Sequence, residues 1–486
     1  MSSVLFSHSY FYQMDSKQWE TGTPYPPLGT IYAASFLREN GYKVSLFDVG
    51  LKESTQEIKG LLETKKPDYF VLYDDGFNYL TKMCLTNMRE AAFEMIKLAK
   101  KQGCKVIVSS SDSTDHFTKY LEKGADIVIL GEGEITLLEV LKTIDNNENL
   151  DTVKGVCFTK GEKIINKGRR EVLKDLDFLP QAAWDLIDVE SYKNAWKSKL
   201  HPFALNIATT RGCPYKCNWC AKPIYGNRYN TRSPKRVVEE IEFLSRTYNV
   251  NNFWMCDDIF GLKPNWVQEF DNELKHAGLE ISYKIQSRAD LLLKENNIDS
   301  LVSSGLKEVW IGAESGSQGI LDAMDKGTTI KQIEDSTKLL QQKGVRVAFF
   351  IQYGYLGEKK EDIDKTISLI KRLKPDDIGI SVSYPLPGTK FYDIVKDELE
   401  GKQNWTDSDE LALLFKGTFN QKFYKKLHRF THKTFQVTKG KVAIKSFFKN
   451  PFGVSKSQMK QIVKMPIYYL LSKKEKLDLH KMENLH

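Results

Sequence analysis

Strand-like apolar runs alternate with helical patterns along most of this chain, and no other feature constrains its fold as tightly. In residues 1–145 the runs are VLFSHS, KVSLFDV, DYFVLYDD, KVIVSSSD and ADIVILGEGE, each followed by a helical segment. In PPLGTIYAASFLRENG, Leu28, Ile31, Tyr32 and Phe36 share one helical face, and Gly41 stands where a helix would stop. Five such units predict an α/β domain of Rossmann-like, flavodoxin type: an open parallel sheet covered on both faces, binding ligands beyond the carboxyl ends of its strands. Those ends read YDDGFN, SSSDSTDH and LGEGE, which are small, polar and glycine-containing. Residues 146–195 read as a connector. VKGVCFTKGEKIINKG predicts a hairpin turning at Lys160–Gly161–Glu162, and LDFLPQAAWDLIDVESY carries too many aromatics and leucines for a loose linker. From 196 to 400 the alternation resumes with ALNIATT, NFWMC, YKIQS, EVWIGA, VRVAFFIQ and IGISVS. Ser233 and Pro234 open a helix striped by Val237, Ile241 and Leu244. Six such units predict a partial (β/α)6 TIM-like barrel with its chemistry at the loops after the strands. Residues 401–486 read as a mostly helical, basic region.

Composition narrows the class of protein. Hydrophobic residues at 41% and charged residues at 28% describe a chain able to bury a sizeable core. No run of about 18 apolar residues is present, so no transmembrane helix is expected. The opening MSSVLFSHSYFYQMD lacks the regions of a signal peptide, and a cytoplasmic location is expected. Seven cysteines, odd in number and mostly scattered, fit a reducing compartment better than a disulfide framework. Charge is uneven: residues 421–486 hold 16 Lys and Arg against 3 Asp and Glu, whereas residues 1–420 hold 55 against 60.

Three of the cysteines fall within eight positions, in RGCPYKCNWC: Cys213, Cys217 and Cys220, directly after the first strand of the second region. Structural zinc wants four ligands, commonly as two pairs, yet Cys256 is alone and no His lies between 202 and 275. A redox C-x-x-C pair would leave Cys213 unexplained, and three unrelated cysteines would not gather at a strand end. Three thiolates suit a 4Fe–4S cluster with one iron left open, which an amine and a carboxylate of a small molecule can chelate.

The spacing C-x3-C-x-Φ-C, met by Cys213, Cys217, Trp219 and Cys220, resembles the signature of the radical S-adenosylmethionine (SAM) superfamily. That resemblance implies that the open iron binds SAM and that an electron from the cluster cleaves it to a 5′-deoxyadenosyl radical. It implies further that Trp219 packs near the adenine, with core packing as the alternative. In WMCDDIFGLKPNW, Asp257 or Asp258 would face the SAM amino group. In IQSRADLL, Arg288 would hold the carboxylate, and in WIGAESGS, Glu314 and Ser315 would lie near the ribose. Each could equally be a barrel salt bridge or cap. QYGYLGE and SYPLPGTKFY resemble the fifth and sixth strand ends of that family.

A parallel domain ahead of such a barrel resembles the cobalamin-dependent radical SAM branch. TPYPPLGTIYAASFLRENGYKVSLFD, DGFNYLTKMC, SDSTDH and GADIVILGEGE look particularly similar to the group containing the anaerobic magnesium-protoporphyrin ester cyclase and hopanoid-modifying enzymes. The resemblance covers roughly residues 1–430. It implies that loops containing Asp75, Asn78, Ser111, Asp112, Gly131 and Glu132 hold the corrin. The D-x-H-x-x-G motif, whose His ligates cobalt in other cobalamin proteins, is missing from HSYFYQMDSKQWETG. His8 is spaced wrongly for it and reads as an ordinary interior or surface histidine.

The resemblance implies three cofactors: a 4Fe–4S cluster, SAM and cobalamin. An electron donor such as flavodoxin or ferredoxin is the implied partner. The expected reaction is methylation of an unactivated carbon in a small or lipid-like substrate. Radical oxidation or cyclisation without methyl transfer is the alternative, and a non-catalytic corrin or cluster sensor is the reading from another class. The tail alternates Lys with aromatic and aliphatic residues in FYKKLHRFTHKTFQ and FFKNPFGVSKSQMKQIVKMPIYYLL, with Ile462 and Val463 one turn from Met459. A basic amphipathic helix meeting a membrane surface or an acidic partner is one expectation, a solvated helical region packed by its aromatics another. Nucleic acid is a less favoured rival. Cys84, Cys104, Cys157 and Cys256 read as small buried hydrophobes.

Overall fold

The computed structural model describes residues 2–197, 201–399 and 402–483. The chain divides into two compact units, one of residues 1–215, 221–285 and 404–410, the other of residues 216–220, 286–403 and 411–486.

In the first unit the five apolar runs form β1 (Ser3–Ser7), β2 (Lys43–Phe47), β3 (Tyr69–Tyr73), β4 (Lys105–Ser109) and β5 (Ile127–Ile129). They pair in parallel in the order β2-β1-β3-β4-β5, the flavodoxin-like arrangement. The expected hairpin is present as β6 (Val156–Lys160) and β7 (Lys163–Asn166). It does more than connect: β6 pairs antiparallel with β5 and extends the sheet to seven strands. The helix Leu28–Glu39 is buried from Leu28 through Leu37, well beyond the single face its periodicity marked, and packs Ala33, Ala34 and Leu37 against Val4, Phe6 and Val71. Trp184 of the crossing segment is 1% exposed and donates its indole N–H to Glu240 at 3.0 Å, so this segment is ordered core.

The same unit holds the start of the second alternation. It comprises β8 (Leu205–Ile207), the short antiparallel ribbon β9 (Thr210–Arg211) with β10 (Asn230–Thr231), β11 (Asn252–Met255) and the first part of β12 (Ser282–Ser287). β11 pairs in parallel with β8 and with β12. Ser233 caps the helix Pro234–Tyr248 by accepting from Arg236 N–H, as its sequence predicts.

In the second unit β13 (Leu306–Glu314), β14 (Arg346–Tyr353) and β15 (Asp377–Val382) pair in parallel. The β13–β14 register slips between Gly312 and Glu314, so Ala313 is an extra residue without a partner in the ladder. Glu314 takes a left-handed φ of +56° just past that slip. The C-terminal region is two antiparallel-packed helices, Gln421–Lys449 and Lys456–Glu483. Phe423, Tyr424, Leu427, Phe430 and Phe435 of the first are buried, whereas Leu479 is the buried residue of the second.

Candidate functional site

In the first unit, the candidate corrin residues cluster after β3, β4 and β5, the carboxyl ends at which such sheets bind ligands. Their charges are mostly satisfied locally. Asp75 accepts from Gly29 N–H and Phe77 N–H, both at 3.0 Å, tying the first long helix to the loop after β3. Burial raises its carboxyl above the ordinary value. Asn78 caps a short helix by accepting from Leu80 N–H. Asp112 is gripped by Arg89 through two hydrogen bonds of 2.5 and 2.6 Å, and accepts from Tyr120 O–H at 2.8 Å. Burial opposes its charge, but the bonds from Arg89 and His116 outweigh it and hold the carboxyl far below the usual range. Gly131 takes φ +83° and donates to Thr114 Oγ1. Glu132 accepts from Leu173 N–H and from Arg211, and Glu134 accepts from the same guanidinium at 2.7 Å. Two buried oxygens here have no hydrogen-bond partner, Ser111 Oγ and Glu134 Oε2. That leaves a hydroxyl and a carboxylate oxygen available to a polar group at the sheet edge, which fits the amide-fringed rim of a corrin. His8 bonds Asp48 at 2.8 Å and accepts from Val49 N–H at 3.2 Å, which makes it an interior histidine, one of the two placements its sequence leaves open.

Arg211 lies two residues before Cys213. Its planar guanidinium is buried between Glu132 and Glu134 and stands over the adjoining rings of Tyr225 and Phe77. It pins the start of the cysteine loop to the end of β5. Gly212 follows with φ +79°, where a Cβ would stand 2.4 Å from the Arg228 carbonyl oxygen. Only glycine fits there. Asp257 sits at the end of β11, and both of its oxygens turn to the β8–β9 segment. Oδ1 accepts from Thr209 N–H and Thr210 N–H, and Oδ2 from Thr209 O–H at 2.6 Å. Burial pushes its carboxyl up to about 7 against those bonds. Asp258 is ion-paired with Lys82. Cys256 is buried, its Sγ against the Ile207 carbonyl at 3.3 Å, and burial pushes its thiol well up. Cys84, Cys104 and Cys157 are buried likewise, whereas Cys213, Cys217 and Cys220 are half-buried.

In the second unit, Asn218 staples the loop between two of those cysteines. It donates from backbone N–H to Met324 O and from its side chain to Ala323 O, accepts from Tyr355 O–H, and its carbonyl accepts from Phe391 N–H. Trp219 is partly buried against the apolar cluster that contains Ile320, Met324, Tyr355 and Phe391. Yet its indole N–H is buried without an acceptor. Arg288 places Nη1 3.7 Å from Cys217 Sγ, while Nε and Nη2 bond both oxygens of Asp290. Lys326 pairs with Glu314 at 2.8 Å, both buried. Burial alone would lower the Lys326 ammonium, but Glu314 and then Cys217 hold it above its ordinary value. Gly312 makes room for the pair, since a Cβ there would meet both Glu314 Oε1 and Lys326 Nζ at 2.7 Å. Ser315 faces inward to Thr366 at 3.2 Å and caps the turn by accepting from Ser317 N–H.

The donor set of the loop fits an iron–sulfur cluster: half-buried thiols at fixed spacing, with an arginine and a buried lysine complementing the negative charge that thiolate ligands bring. Among the described residues no three His, Cys, Asp or Glu side chains could hold a metal ion together. A cluster does not require that, because each thiolate binds a different iron. The orphaned indole N–H fits a ligand bringing an acceptor beside Trp219. Sequence reasoning missed Arg211, Asn218 and Lys326; the arginine directly ahead of the cysteine loop was the one legible signal among them.

Residues 207–370 match the Radical SAM superfamily. An uncharacterized methyltransferase of Pyrococcus horikoshii is 27% identical over 457 residues, covering 92% of this chain and 95% of that one. The anaerobic magnesium-protoporphyrin IX monomethyl ester cyclase of Cereibacter sphaeroides is 23% identical over 413 residues, 82% of this chain and 64% of the cyclase. The solved structure of OxsB, a cobalamin-dependent S-adenosylmethionine radical enzyme with aqua-cobalamin bound, has a TM-score of 0.74 at 18% identity, covering 100% of this chain and 76% of that one. Residues 207–370 thus form a radical SAM domain, and the chain has the fold of the solved cobalamin-dependent radical enzyme.

Proposed function

We propose that this enzyme methylates an unactivated carbon of a small or lipid-like substrate, using a 4Fe–4S cluster, SAM and cobalamin. The observation that carries the reading is the surroundings of Cys217, where two cations and an unpartnered indole N–H stand at the loop of the cysteine signature. Similarity to a methyltransferase along nearly the whole chain supports methyl transfer. When bound, these groups would supply reductive cleavage of SAM and carriage of a methyl group.

The chain's own residues then have definite tasks. Cys213, Cys217 and Cys220 would hold the cluster through their three thiolates. Arg288 and Lys326 balance its charge, while Asp290 and Glu314 hold those two cations in place. Trp219 offers its N–H and ring face to the adenine. Asp257 acts as a clamp that fixes the strand end feeding the loop. In residues 1–145 the loops containing Asp75, Asn78, Ser111, Asp112, Gly131 and Glu132 cradle the corrin, with the Ser111 hydroxyl making direct contact. A low-potential donor of the flavodoxin or ferredoxin class supplies the electrons.

Oxidation or cyclisation without methyl transfer is the second reading, favoured by similarity to the cyclase. Protein purified without oxygen, reconstituted with iron, sulfide and hydroxocobalamin, and given SAM and a strong reductant separates the two. S-adenosylhomocysteine formed only with cobalamin, together with 5′-deoxyadenosine, supports methyl transfer. Deoxyadenosine alone moves the assignment to the second reading, and neither product from protein with a verified cluster removes both.

A further inference from the structure

The last helix, Lys456–Glu483, presents two apolar faces where a helix at the edge of a protein ordinarily has one. Its inner face meets the penultimate helix, Gln421–Lys449. Gly440 leaves space there for Met465, Thr434 O–H and Ser472 O–H lie 2.9 Å apart, and Lys426 bonds Asp478 at 2.7 Å. The opposite face carries Met459, Val463, Ile467, Leu470 and Leu477 at helical spacing, 41%, 69%, 59%, 67% and 64% exposed. Phe448, in the last turn of the penultimate helix, and Phe452, in the connection that follows, are 80% and fully exposed. Lys456, Lys460, Lys464, Lys473, Lys474 and Lys476 flank the stripe, all exposed. Residues 411–474 contain 15 Lys and Arg and not one Asp or Glu. The acidic residues that follow are engaged inward: Glu475 and Asp478 with Lys426, Glu483 with Lys360.

We propose that this outward face docks on the surface of a bilayer carrying anionic phospholipid. An aliphatic stripe bordered by lysines is the pattern of a helix lying in the interface, its apolar side chains entering the acyl boundary and its ammonium groups meeting headgroup phosphates. The helix lies on the membrane and does not cross it: no helix among the described residues is long and apolar enough to span. A second copy of the chain is the poorer occupant, because pairing two such stripes would bring lysine rows together with no carboxylate between them. Nucleic acid would satisfy the lysines but leave the aliphatic stripe in water.

The test is sedimentation of the full-length protein with phosphatidylcholine vesicles that either contain about one-third phosphatidylglycerol or contain none. Binding is expected only to the anionic vesicles, weakened by added salt. The double variant Ile467→Ser/Leu470→Ser should lower the partition coefficient at least about tenfold with an unchanged melting temperature, since both residues are already in water. A triple variant, Lys456→Gln/Lys460→Gln/Lys464→Gln, should lower it and reduce its salt dependence. Absence of vesicle binding overturns the proposal, as does binding that ignores the serine substitutions. So does concentration-dependent self-association abolished by those substitutions in protein that leaves vesicles alone, or retention of a single-stranded oligonucleotide in place of vesicles.

Discussion

Two regions of this molecule carry buried charge in opposite ways. After β3, β4 and β5 the carboxylates are nearly all satisfied by their own scaffold, Asp112 by Arg89, Glu132 by Arg211, Asp75 by two backbone N–H groups. Around Cys217 the pattern reverses: carboxylates serve as holders for cations, Asp290 for Arg288 and Glu314 for Lys326, and both cations reach the neighbourhood of one sulfur. The first region uses charge to fix backbone, and the second aims it. A conspicuous acidic residue at a strand end is therefore a weak sign of ligand contact on its own. Its partner decides.

The contrast can be broken most completely at the thiol. Cys217→Ala should abolish the cluster absorbance of reconstituted protein and with it all SAM cleavage, while the first unit keeps its fold; a spectrum and a product assay together read this out. Asp112→Ala acts on the other side of the contrast. It leaves Arg89 buried without a counter-charge and should cost about 3–5 kcal/mol of stability in chemical denaturation, with no specific effect on cluster loading.

A pH series compares the regions through two buried acids. Burial pushes Asp257 of the first unit up to about 7 and Glu358 of the second up to about 8. The folded chain therefore retains protons that the unfolded chain releases. The stabilisation these groups give is whole below about pH 4 and declines as pH rises through 7 and 8, at up to about 1.4 kcal/mol per pH unit for each group. Asp257→Asn should flatten the part of that decline ending near pH 7, and Glu358→Gln the part ending near 8. Smaller still, Arg288→Lys keeps the charge but loses the fork that spans Asp290 and the sulfur; SAM cleavage should fall about 10- to 100-fold while stability barely moves. The smallest effect belongs to Asp258→Asn, which removes a partly exposed pair with Lys82 and should cost less than about 1 kcal/mol.

Most of the framework was legible because it rests on local pattern. Each of the eleven apolar runs became a strand, and the cap at Ser233 formed where Ser-Pro precedes a helical stripe. The hairpin around Gly161 was legible too, but its pairing with β5 was not, since its turn residues do not reveal which edge it joins. The three cysteines of the candidate site stood out through spacing alone. Their supports did not. Asn218 reaches a carbonyl 105 positions away, and Arg211 reaches carboxylates 77 and 79 positions before it. Lys326 stands in an ordinary loop, and what distinguishes it is a burial that no neighbouring residue announces.

The slipped register of β13 has a consequence best put as punctuation. A strand in regular alternation carries its side chains past a site, whereas a bulge followed by a left-handed residue is a full stop. The ladder skips Ala313, and Glu314 follows with φ +56°. Its carboxylate turns back over Gly312, whose missing side chain leaves the room that it shares with the Lys326 ammonium. Closing that room with Gly312→Ala would disturb a buried ammonium beside Cys217 without altering a single residue that touches the sulfur.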